Sequence, residues 1–319
     1  MLTTAQVRAN QSPILTNLML GMGQGTMIAE KLFPRLPQAL GSMTVRQTGN
    51  ERLKKYNLRR APGAPTKKIS IKLEGKVYTL DQYSVEVDLP RELIREDDYT
   101  KRLNPAAYLG LSTIAMATAM DVLGLGYEIE AAEFATATGT YASGHVTALT
   151  GGAKWSAATG TPVTDVKAAS NVIRKKIGKR PNRLTLSPDA KLAVDMNPEV
   201  KSQLPSTQMG GPTLAQLATI FEVEEILVGD AVWVDEADAG ADVWGNNAVL
   251  TYVPRIGGDG TAMSLAEPAF GFTNVMPDHP YGETPYYSAE YKSWIWGATF
   301  ERKVSVAYNT AGFLFQNPK

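Results

Sequence analysis

The chain has no cysteine among its 319 residues and only two histidines, His145 and His279. The first absence excludes thiolate zinc sites, iron–sulfur clusters, thiol nucleophiles and disulfide scaffolds together. The second excludes a histidine-rich metal site and leaves a Ser-His-Asp arrangement at most two possible bases. Net charge is missing too, with 32 Lys plus Arg against 32 Asp plus Glu. That rules out a globally basic nucleic-acid binder and an acidic disordered tail, and it gives weak protection against self-association. No long apolar run is present. The most apolar-leaning stretch, Ala106 to Leu125, contains Ser112, Thr113, Thr118, Asp121 and two glycines, so it reads as a close-packed helix rather than a membrane span. Met1 to Asn10 lacks the basic region and apolar run of a signal peptide.

Catalytic signatures are absent as well. There is no Walker-A sequence, no Gly-x-Ser-x-Gly elbow and no His-Glu-x-x-His. Gly21-x-Gly23-x-Gly25 does not have the dinucleotide-binding spacing, and Gly257-Gly258-Asp259-Gly260 reads as a tight turn rather than a cation loop. His145 has no carboxylate in its own segment and reads as a surface or core-edge residue; His279, in Pro277-Asp278-His279-Pro280, reads as a loop residue. Carboxylates are plentiful, but pairing them into a general acid and base needs geometry that spacing does not supply. The residues therefore assign no catalytic group, metal ligand or cofactor.

What is present is length enough for two domains and an ordered distribution of charge. Between Thr44 and Lys76 stand ten basic residues, among them Arg52, Lys54, Lys55, Arg59, Arg60, Lys67 and Lys68, against Glu51 and Glu74. Asp81 to Asp98 holds seven acids against Arg91 and Arg95. Asp165 to Arg183 is basic again, whereas Glu222 to Glu290 carries thirteen acids and one base, Arg255. Blocks of this kind create local fields that cancel only where blocks meet. The first basic segment has only Tyr56 as an interleaved aromatic, too little for a base-stacking platform. It is either a solvated loop or one that docks on an acidic neighbour such as the block at 222–290.

Residues 1–45 lack periodicity and read as an extended arm. Lys68 to Leu80 reads as a hairpin turning at Glu74-Gly75, with Ile69 opposite Leu80, Ile71 opposite Tyr78 and Lys68 opposite Asp81. Tyr83, Val85, Val87 and Leu89 then alternate on odd numbers, which predicts a bulge or bend between 80 and 83. Asn104-Pro105 opens a long small-residue helix running to about Thr136, with Leu109, Thr113, Met116, Met120 and Leu123 on one face. His145–Leu149 is strand-like. A helix capped by Thr164 or Asp165 carries Val166, Ala169, Ile173 and Ile177 on one face and ends at Gly178. A strand at Arg183–Leu186, a helix from Ser187-Pro188, a helix opened by Pro212, and strands at Glu225–Val234 and Ala248–Val253 complete an α/β arrangement. From Trp294 to Tyr308 the even-numbered residues are apolar except Arg302, giving one unusually long strand or two strands turning at Glu301-Arg302-Lys303.

This order of segments resembles the major capsid proteins of tailed bacteriophages, the Hong Kong 97-type fold. The most specific stretch is Trp155 to Trp233, with Gly160-Thr161-Pro162-Val163-Thr164-Asp165, Gly178-Lys179-Arg180-Pro181-Asn182, Asn197-Pro198-Glu199-Val200, Leu214–Phe221 and Ile226–Trp233 similar in succession to the axial domain of that family. The resemblance implies an α+β capsid fold with an N-terminal arm at 1–45, an extended β-hairpin loop at 46–90, a peripheral domain with the long helix and long strands at 91–159 and 286–319, and an α/β axial domain at 160–285. It implies a non-enzymatic virion protein, assembled in the host bacterial cytoplasm, whose partners are further copies in hexamers and pentamers. A separate scaffolding protein, a portal, possible decoration proteins and non-specific contact with packaged double-stranded DNA belong to the same implication, and no membrane does. Arg52, Lys54, Lys55, Arg59, Arg60, Lys67 and Lys68 are the expected inter-subunit contacts of the loop. Two rivals remain: an encapsulin-type bacterial compartment with the same fold, and a soluble α/β enzyme using carboxylates.

Overall fold

A computed structural model describes residues 27–48, 50–63, 65–103, 110–205, 210–254 and 267–319. Most of the expected arm, the Gly21-x-Gly23-x-Gly25 run, the Asn104-Pro105 helix start and the Gly257-Gly258-Asp259-Gly260 turn lie outside the described residues.

The chain enters with a single helical turn α1 (Ala29–Leu32) and a short strand β1 (Arg35–Pro37). Strands β2 (Ser42–Thr48) and β3 (Leu73–Thr79) then pair antiparallel over seven residues, from Ser42↔Thr79 to Thr48↔Leu73. The expected turn at Glu74-Gly75 is therefore overturned: these residues pair with Gln47 and Arg46 inside the ribbon. Glu-Gly lacks the positive-φ preference of Asn-Gly, and the upstream segment offers a longer ladder than a local hairpin. The pairings of Ile69 with Leu80, Ile71 with Tyr78 and Lys68 with Asp81 fall with it; Tyr78 faces Met43 and Thr79 faces Ser42. Leu80 breaks the chain between β3 and β4 (Asp81–Pro90), donating its N–H to the Gly41 carbonyl. Past this break the odd residues Tyr83 to Leu89 face inward, as the change of phase requires.

Helix α2 (Arg91–Leu103) buries no residue, and its polar composition gave no apolar stripe to read. Helix α3 (Leu111–Thr136) is the long small-residue helix, but it starts at Leu111 and not at the expected Asn104-Pro105, because Gly110 stands ahead of it in the left-handed region at φ 66°; Ala115, Met116, Ala119, Leu123, Ala131, Ala132 and Ala135 are buried along it. Alanine at these points lets the helix axis lie close to the sheet beneath. A short strand β5 (Val146–Ala148) follows, then α4 (Pro162–Ile177). This helix begins ahead of the expected Thr164 or Asp165 cap, because the Glu199 carboxylate accepts from the Val163 and Thr164 N–H groups at 2.8 and 3.2 Å. Its buried face is the expected Val166, Ala169, Ile173 and Ile177, and Gly178 ends it at φ 78°.

Strand β6 (Arg183–Leu186) leads through Ser187, whose hydroxyl accepts from the Ala190 N–H, into α5 (Pro188–Met196). Helix α6 (Pro198–Ser202) and α7 (Leu214–Phe221) follow, the latter with a full Thr213–Gln216 capping box. The expected strand Glu225–Val234 is two strands, β7 (Glu225–Val228) and β8 (Val232–Val234), separated at Gly229. A Cβ on Gly229 would stand 2.2 Å from the Trp244 ring, so this close approach takes the place of continuous pairing. Strand β8 turns back as β9 (Gly240–Asp242), and β10 (Asn247–Thr251) completes this part.

Strands β11 (Gly271–Val275), β12 (Tyr281–Gly282), β13 (Tyr286–Ser288), β14 (Ser293–Val306) and β15 (Gly312–Gln316) close the chain. β14 is continuous, so the turn at Glu301-Arg302-Lys303 does not occur. One edge of β14 pairs with β4 over ten residues, Ser293↔Pro90 to Arg302↔Asp81. The other edge takes β13, β12 and β11 in succession, and β1 joins β11 in parallel. Helix α3 lies against β14 and β4 of this six-stranded sheet. The second sheet has five strands in the order β5-β15-β10-β6-β7, covered by α4, α5 and α7.

His145 is fully buried, not at the surface: its Nδ1 stands 2.9 Å from the Gly312 carbonyl beneath β15. Burial holds its pKa below the usual histidine value. His279 accepts the Glu301 N–H at 2.9 Å through Nδ1, and burial lowers its pKa to about 4. The unfolded chain takes up this proton near pH 6.5, and the folded chain only near pH 4. Stability from this group is therefore complete above pH 6.5 and is lost as the pH falls through that window. The Tm of a His279→Gln chain should fall less steeply than that of the parent between pH 6.5 and 4; equal slopes would remove His279 from the acid response.

Candidate assembly surfaces

The seven cations singled out above lie in the 24 residues that join β2 to β3, at the far end of the ribbon. All seven are exposed. The tip begins with one helical turn, Asn50–Leu53, whose Leu53 side chain packs on Gly178. Arg52 lies near Glu267 of its own chain, whose carboxyl is held below its usual pKa mainly by the hydrogen bond from Lys179 and in smaller part by Arg52. Lys54 Nζ is 3.9 Å from Glu51, and Lys67 Nζ stands 5.5 Å over the Tyr56 ring. The Arg59 N–H donates to Asn57 Oδ1 at 3.2 Å, which shapes a local turn. Lys55 and Lys68 enter no ion pair among the described residues. Exposed Leu58 stands between the cations and exposed Ile69 and Ile71 follow them, an apolar component that charge counting missed.

The acidic block at 222–290, one candidate receiver of this loop, is partly engaged inside its own chain. Glu222 pairs with Lys167 at 3.1 Å and Arg180 at 3.7 Å. Glu225 pairs with Lys31 at 3.1 Å and Arg183 at 3.3 Å, and Glu267 with Lys179 at 2.8 Å. The ion pairs to these acids come from the second basic block and Lys31, and of the first block Arg52 lies near Glu267. A different acidic surface lies on the outer face of the six-stranded sheet. Glu86 and Asp88 of β4 flank Ile295 and Tyr291 around a shallow groove, and Tyr286 donates to Glu86 at 3.2 Å.

The strongly buried ionisable groups serve junctions rather than chemistry. Glu128, in the middle of α3, accepts from the Ile28 and Ala29 N–H groups at 3.0 and 2.8 Å and from the Trp244 indole N–H at 2.7 Å. Burial pushes its pKa up, against the three donors. Arg302, in the middle of β14, is 1% exposed and pairs through Nε with Glu130 of α3 at 3.2 Å. Its guanidinium lies 4.0 Å from the Tyr83 ring centroid and 5.0 Å from that of Phe300. Among the described residues no group of three or more His, Asp and Glu is placed to hold a metal ion, and no helix is long and apolar enough to cross a membrane.

No family model matches the chain. The major capsid protein of Burkholderia phage BcepMu is 29% identical over 273 residues, covering 85% of each chain. A crystal structure of a phage-related protein from Bordetella bronchiseptica RB50 is 31% identical, covers 97% of both chains and superposes with a TM-score of 0.76. A chain of Mycobacterium phage Ogopogo, at 13% identity and 92% coverage of both chains, shares the fold with a TM-score of 0.55. With a long two-stranded loop, a long helix across a β14-centred sheet and a second α/β layer, the chain has the Hong Kong 97-type fold, belongs to the major capsid proteins of tailed bacteriophages, and is a protein of the virion shell.

Proposed function

We propose that copies of this chain assemble as hexamers and pentamers into an icosahedral shell around double-stranded DNA, with a structural and non-enzymatic role. The reading divides the chain into an arm at 1–45, an extended loop at 46–90, a peripheral domain at 91–159 and 286–319, and an axial domain at 160–285. Strands cross between these segments: β5 and β15 enter the five-stranded sheet, and β4, β11 and β12 enter the six-stranded sheet. Further partners under this reading are a separate scaffolding protein, a portal and a decoration protein. The 29% identity with a phage capsid protein over 273 residues favours this shell over an encapsulin-type compartment.

The observation that carries the assembly reading is the exposed cationic tip of the two-stranded ribbon. Arg52, Lys54, Lys55, Arg59, Arg60, Lys67 and Lys68 supply the charge, and Leu58, Ile69 and Ile71 supply apolar surface. The receiving surface is the outer face of the neighbour's six-stranded sheet, where Glu86 and Asp88 lie beside Tyr286, Tyr291 and Ile295. Single exposed ion pairs contribute little, but repetition around every capsomer multiplies them. Reversing Arg59, Arg60, Lys67 and Lys68 to Glu should abolish particles in electron micrographs while leaving the Tm of the unassembled subunit within about 2 °C of the parent, since surface changes cost little. Normal shells from that variant would refute loop docking.

A further inference from the structure

Strands β8 and β9 form a two-stranded ribbon that neither sheet covers. Val232, Trp233 and Val234 are 49%, 41% and 58% exposed along it. Val232 and Val234 share one face and Trp233 takes the other, so the ribbon is apolar on both sides. An isolated hairpin is marginal in water, and a run of this kind with an exposed tryptophan marks a contact surface. Its charge is of one sign. From Asp230 to Pro254 there are five carboxylates, Asp230, Asp235, Glu236, Asp238 and Asp242, and no Lys or Arg. None of the five enters an ion pair among the described residues. The turn is ordered, because Asp235 Oδ1 accepts from the Ala237 and Ala239 N–H groups at 2.9 and 2.8 Å.

The complementary surface is on the same domain. The last turn of α4 presents Arg174, Lys175 and Lys176 to solvent. Cations there complement the helix dipole, yet these three have no carboxylate partner among the described residues, unlike Lys167, Lys179, Arg180 and Arg183 nearby. Topology separates the two surfaces within one chain. Helix α4 delivers its basic turn to the end of the five-stranded sheet where β6 starts at Arg183. The ribbon leaves from the opposite end, where the parallel β7 stops at Val228 beside Leu186. Each subunit thus carries an acidic, apolar finger at one end of its axial sheet and a basic socket at the other. Opposite patches on opposite ends of one molecule suit a head-to-tail contact, which closes into a ring when the rotation between neighbours divides a full turn.

We propose that the β8–β9 ribbon of one subunit docks on the last turn of α4 of the next copy around a capsomer, Glu236 and Asp238 facing Arg174, Lys175 and Lys176. This contact rests on the shell reading above but is separate from the loop contact. Glu236→Lys with Asp238→Lys should lower particle yield by at least about tenfold, as should Arg174→Glu with Lys175→Glu, because each places like charges opposite one another. Combining the two pairs should restore particles to within about twofold of the parent, a recovery expected only when the two patches face each other. The absence of native cysteine allows a second readout. In parent-like particles of an Asp238→Cys, Lys175→Cys chain, a flexible bismaleimide should give a ladder of covalent oligomers up to the hexamer. Full assembly of both charge-reversed chains, or lack of rescue on combination, would overturn the contact while leaving the shell reading intact. Failure of the parent chain to form particles would remove both.

Discussion

A Glu128→Ala chain is expected to unfold about 3–5 kcal/mol more easily than the parent, measured by urea denaturation of the unassembled subunit. The carboxylate joins three parts of the chain that are remote in sequence: the backbone before α1, the middle of α3 and Trp244 beyond the ribbon. Removing it leaves two backbone donors and an indole N–H buried without acceptors. Trp244→Phe removes only the indole donor and should cost about 1–2 kcal/mol. Gly229→Ala reaches the same junction from the other side, since its Cβ would meet the Trp244 ring at 2.2 and 2.4 Å. Both substitutions displace one indole, so Gly229→Ala combined with Glu128→Ala should cost clearly less than the sum of the two. Additive losses would show that Glu128 acts on α1 alone and that Trp244 is held by packing.

Arg302→Ala should be comparably damaging, at about 3–5 kcal/mol. The side chain is 1% exposed, fills the space between Tyr83, Tyr127 and Phe300, and provides the positive partner of Glu130. Alanine removes volume, cation–π contact and counter-charge together. Leucine restores most of the volume, and Glu130, 22% exposed, can then rehydrate. Arg302→Leu should therefore recover roughly half of the loss, because a buried pair replaced by apolar packing is often nearly neutral. Glu130→Gln is the sharper variant: it leaves a guanidinium in the core without its carboxylate and should cost more than Arg302→Leu. The reverse order would make packing, not charge, the main contribution of this position.

These two junctions also mark where sequence reading ran out. The alternation through Tyr83, Val85, Val87 and Leu89 and the even-numbered run from Trp294 were legible because a strand's period of two is written locally. The cap at Ser187 was legible for the same reason, whereas the helix expected to open at Pro212 starts at Leu214 behind a Thr213 cap. Arg302, by contrast, looked like an interruption of an apolar face, because its partner Glu130 lies 172 residues away. Glu128 and Trp244 are separated by 116 residues, and nothing in either segment points to the other. The partner of β3 was misread because a neighbouring turn seemed closer than a strand that returns after the whole loop. Charge blocks were visible as blocks, but the acids at Glu222 and Glu225 found Lys167, Arg180, Arg183 and Lys31 rather than the loop. Of the assembly surfaces, the cationic loop stood out in the composition. The β8–β9 ribbon did not, because exposure is a property of the fold and Val-Trp-Val reads equally well as core.

The ladder between β4 and β14 bears on how a shell would carry load. The loop ribbon joins β4 at Asp81, opposite Arg302, and the ten rungs run from there to Pro90 and Ser293. A pull on the loop along the strand therefore stretches all ten rungs at once, in shear, instead of peeling them open one after another. On its far edge β14 is held by β11, β12 and β13, so the strain passes across the sheet rather than into a single hinge. A container pressurised from within would transmit tension between subunits through a beam that yields only when many hydrogen bonds fail together.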